Sequence, residues 1–234
     1  MRLLAIDTAT ENCSACYYDG RTGEFDEISE VSERRHANLI LEMVDTLSRR
    51  HGFRLPELDA LCYGMGPGSF TGVRIAVSAA QGLALGAGLR VIGVSTLQAL
   101  AAAGSGMQDG ICVSAIDARM GEVYLGIYGI RDGQVEALLP DCVLSPEEAA
   151  QKAAAMAAKG LRTFCAGTGI GILEPLDKQN IFYKNCVKFP SGRSILDIIV
   201  LSNHAPTLTE PQDAMPLYIR DEVAWKKLAG SKTG

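Results

Sequence analysis

The chain is 234 residues long, 47% hydrophobic and 21% charged, with a formal net charge of −5. That length and make-up suit one large globular domain or two small lobes. They exclude a global basic field of the kind that draws in nucleic acid unaided, so any RNA must be held by a partner or a local patch.

The opening residues, MRLLAID, put Asp7 where a secretory leader needs its apolar stretch. No run of about 18 apolar residues stands out as a bilayer span. A cytoplasmic protein with no membrane contact is expected. Seven cysteines, an odd number, lie mostly in strand-like apolar runs, where a reduced thiol acts as a small hydrophobe. Cys13 and Cys16 form a C-x-x-C pattern, but on a strand they point to opposite faces and suit neither zinc nor redox pairing.

In chain order, residues 3–7, 14–19 and 25–29 read as strands, with Asp19, Gly20 and Gly23 as hairpin chemistry. Residues 33–50 read as a helix with Ser32 as N-cap and Gly52 just past its end. A buried strand at 58–63 runs into GMGPGSFTGVR, and a helix rich in Gly, Ala and Ser follows. The glycines permit turns closed to other residues, Pro67 fixes one φ, and Ser69 is placed to cap the helix. Strand, glycine-rich loop and helix N-terminus can together cradle an anion. The same residues also describe a tight turn before a closely packed buried helix. The loop is neither a G-x-x-x-x-G-K-[ST] phosphate loop nor a dinucleotide fingerprint. A strand at 90–94, an Ala-rich helix at 95–103 and a Gly/Ser linker at 104–110 follow.

The order then begins again. Residues 111–116 form an apolar strand ending in Asp117, as 3–6 ends in Asp7. Strands at 122–130 and 134–139 flank the turn Arg131-Asp132-Gly133. Ser145-Pro146-Glu147-Glu148 is a capping box with proline at the first helical position, and Gly160 closes that helix. A strand at 161–165 runs into Gly167-Thr168-Gly169, with a short helix at 195–201 and a strand-like tail at 217–227. Two successive β-β-β-α-β-α units imply a duplicated α/β fold. The expected architecture is two-lobed, actin-like and heat-shock-ATPase-like, built on a ribonuclease H-like unit, with lobes at 1–103 and 111–234.

Such a fold places a nucleotide cleft between its lobes, and the candidates for a vestigial cleft are Asp7, Thr8, Asp117, Arg119, Gly167 and Gly169. Asp7 either holds a magnesium ion or water, with Thr8 near phosphate, or closes an Asx turn. Arg119 stands where the second lobe should offer a backbone cradle. His36, His51 and His204 form no H-x-x-x-H or H-E-x-x-H pair. His36 suits a solvated or capping role, and His51 suits the helix dipole. Ser69 and Ser95 lack an obvious base, and Lys226-Lys227 reads as a solvated tail. The chain offers a kinase-like shell without catalytic contents.

Specific strings now carry a family resemblance: MRLLAIDTAT at 1–10, GMGPGSFTGVRIAVSAAQGLALG at 64–86, VIGVSTL at 91–97, AIDARMGEVY at 115–124 and VAWKKL at 223–228. In order and almost end to end, the chain resembles the bacterial TsaB family, formerly called YeaZ. The resemblance implies a paralogue of TsaD, the subunit that transfers a threonylcarbamoyl group to the adenosine beside the tRNA anticodon, in tRNAs reading codons that begin with A. The catalytic relative carries an H-x-x-x-H metal pair after the strand that follows the glycine-loop helix. Here that segment, residues 93–100, has no histidine. The resemblance therefore implies a non-catalytic scaffold that binds TsaD, is joined by the ATPase TsaE, and meets tRNA only through the complex. No intrinsic cofactor is expected, ATP and metal belonging to the partner subunits. TsaD is expected to dock on helices 33–50 and 71–86, with a homodimer forming when the chain is alone. Helical phase gives His36, Ile40, Met43, Leu47, Val73, Arg74, Val77 and Gln81 as interface candidates. Two alternatives stand beside this: an ATP-dependent small-molecule kinase using Asp7 and Asp117, and a metallopeptidase, for which no ligand set is apparent.

Overall fold

The computed structural model describes residues 1–32, 35–178, 180–181, 186–202 and 206–220. The first sheet is built from β1 (Arg2–Asp7), β2 (Asn12–Asp19), β3 (Glu24–Val31), β4 (Ala60–Gly64) and β5 (Val91–Val94), in the order β3-β2-β1-β4-β5. The second is built from β6 (Gly110–Arg119), β7 (Glu122–Arg131), β8 (Gln134–Leu144) and β9 (Thr163–Ala166), in the order β8-β7-β6-β9. Each begins as an antiparallel meander and then adds a parallel strand beside its first, β4 on β1 and β9 on β6. The repeat read from the sequence is thus a repeat of topology.

Each sheet carries helices on both faces. Helices α1 (His36–His51) and α2 (Phe70–Ala87) cover one face of the first sheet, closing over Leu4, Ile6, Leu61 and Tyr63. Helix α4 (Pro146–Ala157) and the short α5 (Ile170–Leu173) cover the matching face of the second, over Val113, Leu125 and Ile127. The other two helices trade places. Helix α3 (Thr96–Ser105) follows the first sheet but packs Leu97, Leu100 and Ala101 on Cys112, Ile116 and Tyr128 of the second. Helix α6 (Gly192–Leu201) follows the second sheet but packs Ile195, Leu196 and Ile199 on Leu3, Ala5 and Cys62 of the first. The sheets divide near residue 105, whereas the helices cross that division.

Local signals explain most boundaries. Ser69 accepts the Gly72 amide to open α2, Ser95 accepts the Leu97 and Gln98 amides to open α3, and Ser145 and Glu148 form the expected capping box of α4. Left-handed glycines at 52, 88 and 106 end α1, α2 and α3. Two boundaries differ from the sequence reading. Helix α1 starts at His36 with Arg35 at its N-cap position and no side-chain cap, so Ser32 does not cap it; residues 33 and 34 lie outside the described residues. The supposed linker begins inside the last turn of α3 and ends in β6, and its Gly104 lets the helix lie against Ala166: a Cβ there would fall 2.6 Å from the Ala166 side chain. Among the described residues α2 alone is long and apolar enough to cross a membrane, a run the sequence reading does not single out. Its apolarity comes largely from small residues, and one of its faces packs on the sheet. Cys13 and Cys16 lie in cores on opposite faces of the first sheet, as strand geometry requires.

Candidate functional site

The glycine-rich stretch is an internal joint. Ser69 donates its amide to the Ala9 carbonyl at 2.8 Å, and the Thr8 hydroxyl donates to the Gly72 carbonyl at 2.7 Å. A Cβ at Gly68 would fall 2.2 Å from the Ala9 oxygen, and one at Gly72 would fall 2.1 Å from the Thr8 oxygen. No side chain fits at either place. The glycines therefore seat the first turn of α2 directly on the turn after β1.

That seating seals Asp7 and Thr8, both fully buried. Asp7 Oδ1 accepts the Ala9 amide at 2.7 Å, an Asx turn, while Oδ2 has no hydrogen-bond partner among the described residues. Gly64 presses on the carboxylate, since a Cβ there would fall 2.8 Å from Oδ1. Desolvation raises the Asp7 carboxyl to about 6 against the opposing pull of the Ala9 amide. Asp7 and Thr8 thus do not open onto a cleft or face Asp117 across one, which corrects the sequence expectation.

The second repeat uses the same joint. Gly169 donates its amide to the Ala115 carbonyl at 2.9 Å, and a Cβ at Gly167 would fall 1.9 Å from that oxygen. Gly167 and Gly169 serve backbone packing. Asp117 and Arg119 do reach the space between the lobes, a cleft of about 960 Å³ whose walls include Thr10, Glu11, Ser69, Thr71 and Thr168. There Asp117 accepts the Arg119 amide at 2.7 Å and its guanidinium at 3.2 Å, and Arg119 approaches Glu11 of the first lobe at 3.9 Å. The arginine is matched by carboxylates rather than held open for an anion.

Metal and nucleophile chemistry finds little purchase. Among the described residues no group of three or more His, Cys, Asp or Glu side chains could hold a metal ion. Ser95, in the segment where the catalytic relative places its histidines, caps α3 and donates its hydroxyl to Asp141, which also accepts from Tyr128. Burial pushes the Asp141 carboxyl up while the two hydroxyls pull it down. His36 is buried at the start of α1, its Nε2 without a partner among the described residues, so neither solvation nor capping describes it. His204 and Lys226-Lys227 lie outside the described residues.

The outward faces of α1 and α2 are a different matter. Leu41 is 50% exposed, Phe70 62% and Leu85 68%. Leu41 and Phe70 lie with Ala37, Arg74 and Ser78 around an open groove of about 480 Å³ between α1 and α2, and Gly82 and Leu85 continue the exposed stripe of α2 beyond it by helical phase. The Arg74 guanidinium stacks 3.6 Å above the Phe70 ring. The sequence-derived interface set is largely misplaced. His36, Ile40, Met43, Leu47, Val73 and Val77 are buried within the chain, Gln81 is half-buried on the Ala214 carbonyl, and only Arg74 points outward. Helical periodicity picked out the stripe that faces the sheet; the uncovered stripe lies on the other side of each helix. Exposed large apolar residues between Ala and Gly positions were its legible signal.

Duplicated sheets with exchanged helices define a protein of the two-lobed actin-like class. The family model for TsaD, tRNA N6-adenosine threonylcarbamoyltransferase, matches residues 28–226. The TsaB protein of Escherichia coli K12, named for tRNA threonylcarbamoyladenosine biosynthesis, is 38% identical over 99% of this chain and 100% of its own length. The Haemophilus influenzae counterpart is 36% identical over 98% of each. Two solved Pseudomonas aeruginosa structures are similar throughout. One, described as similar to peptidase YEAZ, has a TM-score of 0.83 and 36% identity over 94% of this chain and 99% of that one. The other, YeaZ, has a TM-score of 0.75 and 31% identity over 93% and 99%. The chain belongs to the TsaB family, within the broader TsaD family.

Proposed function

We propose that this chain is the non-catalytic subunit of a threonylcarbamoyl transferase complex, holding a TsaD homologue on the outer faces of α1 and α2. Membership of the family places the chain in the biosynthesis of tRNA threonylcarbamoyladenosine, and this is favoured over the kinase reading. The observation that carries the docking role is the apolar face of Leu41, Phe70 and Leu85, which the chain's own core leaves uncovered. The TsaD family model fits this chain, so such a partner offers helices of the same kind, and paired like elements bury each other's faces. In the partner's absence a second copy takes that place as a homodimer. ATP and metal belong to the TsaD and TsaE homologues, and tRNA is met through them, in keeping with the net charge of −5. A cytoplasmic location follows from that role. The sealed Asp7 and the use of Ser95 as a helix cap support the absence of catalysis in this subunit.

Ser78→Trp tests the reading, because Ser78 is exposed on α2 beside the groove. A tryptophan at Val77 would instead test folding, since Val77 is buried. With the matching TsaD and TsaE homologues, threonylcarbamoyl-adenylate and tRNA, S78W should keep its melting temperature. Binding to TsaD and tRNA modification should each fall about a hundredfold, as for loss of a central contact. Unchanged modification would overturn the docking role.

A further inference from the structure

The last described segment, Ala214 to Arg220, crosses from one lobe to the other. On the first lobe, Ala214 accepts the Gln81 side chain at 3.0 Å and Leu217 donates its amide to the Met65 carbonyl at 2.7 Å. Tyr218 accepts the Arg74 Nε–H at 3.1 Å. On the second lobe, the Arg220 guanidinium donates to the Ala118 carbonyl at 3.4 Å, the Met120 sulfur at 3.6 Å and the Glu122 carboxylate. Both ends grip something that needs holding. Arg74 and Gln81 are α2 residues, Arg74 being the one stacked on exposed Phe70. At the other end the β6–β7 turn runs through Arg119, Met120 and Gly121, with φ of 63°, 57° and 78°. Left-handed backbone at two successive non-glycine residues is strained and persists where neighbours fix it.

We infer that this segment is a brace: it fixes the docking face of α2 and the β6–β7 turn in one arrangement, with Tyr218 and Arg220 as positioning residues for the partner. The partner half of this rests on the docking role proposed above. Phe70 and Arg74 are shared between the open groove and the inter-lobe cleft, so a protein seated on α2 touches the residue from which the brace is hung. Coupling then runs through a continuous chain of bonded groups, from Arg74 through Tyr218 and Arg220 to Glu122.

Tyr218→Phe and Arg220→Met keep side-chain bulk and remove one anchor each. In the full-length chain, hydrogen exchange is followed at residues 70–78 and 117–124, and affinity for the TsaD homologue is measured by titration. Y218F should speed exchange in the β6–β7 turn about threefold to tenfold, although its lost bond is to α2. R220M should do the same at the start of α2, although its lost bonds are to the second lobe. Partner affinity should fall about threefold to tenfold in each, and the double variant should be no weaker than the weaker single one. Local loosening only at the end each residue touches would overturn the brace, as would additive losses of affinity. The docking role fails separately: if S78W leaves TsaD affinity intact, the exchange result still decides whether the two lobes are braced.

Discussion

At the scale of single residues, Asp7 shows how a position legible in the sequence acquires a meaning that is not. An aspartate ending an apolar strand is plain to read; its burial depends on Gly64 of the neighbouring strand and on the seating of α2. Two oxygens are shut away with one hydrogen bond between them, which favours the neutral acid. The carboxyl is raised from 3.8 to about 6 in the folded chain. A raised carboxyl stabilises the fold fully below the unfolded value and loses that stabilisation as pH climbs through the folded value. Stability should therefore decline between about pH 4 and pH 6 on account of this group. Asp7→Asn keeps the acceptor for Ala9 and removes the titration. It should flatten that decline and stabilise the fold at pH 7 by about 1–3 kcal/mol, the latter being the limit set by a shift of roughly two pK units. Urea titrations of both proteins from pH 4 to 8 would show it. A pH-independent loss of stability in D7N would overturn this reading, because a packing or hydrogen-bonding penalty unrelated to ionisation would then outweigh the titration.

At the scale of elements, the order of strands and helices was largely open to reading, as were the caps at Ser69, Ser95 and Ser145. What could not be read was the rotation of α2 about its axis. Small residues occupy its whole circumference, so periodicity marks an apolar stripe without saying which neighbour covers it. Its glycines separate the two faces well. Gly72 lies against the Thr8 carbonyl, whereas an added methyl at Gly82 or Gly86 would meet nothing within 4 Å. Gly72→Ala should cost about 2–4 kcal/mol, since backbone must move to admit the methyl. Gly82→Ala should instead gain about 0.5–1 kcal/mol from better helix propensity. Thermal melts of the two variants decide the matter, and comparable losses in both would place Gly82 in a packed contact.

At the scale of the molecule, the duplication was legible because two strand patterns ending in aspartate are visible along the chain. The exchange of α3 and α6 was not, because it is set by where each helix passes between the sheets. The exchange determines how far the halves can act alone. The division expected at residues 103 and 111 leaves the second sheet without α3, uncovering Cys112, Ile116 and Tyr128. It equally strips α6 from the first sheet, uncovering Leu3, Ala5 and Cys62. A face of that kind does not stay exposed in water. The whole chain should unfold in urea as one transition, coincident by circular dichroism and tyrosine fluorescence. Residues 1–105 or 106–234 expressed singly should aggregate or bind a hydrophobic dye, while co-expression should return a soluble pair. Two separated transitions would show the lobes to be independent. A single transition, by contrast, would show the two lobes to be one cooperative unit: the first sheet is backed by α6, and α6 is tied through Ile198 to the α3 core of the other lobe.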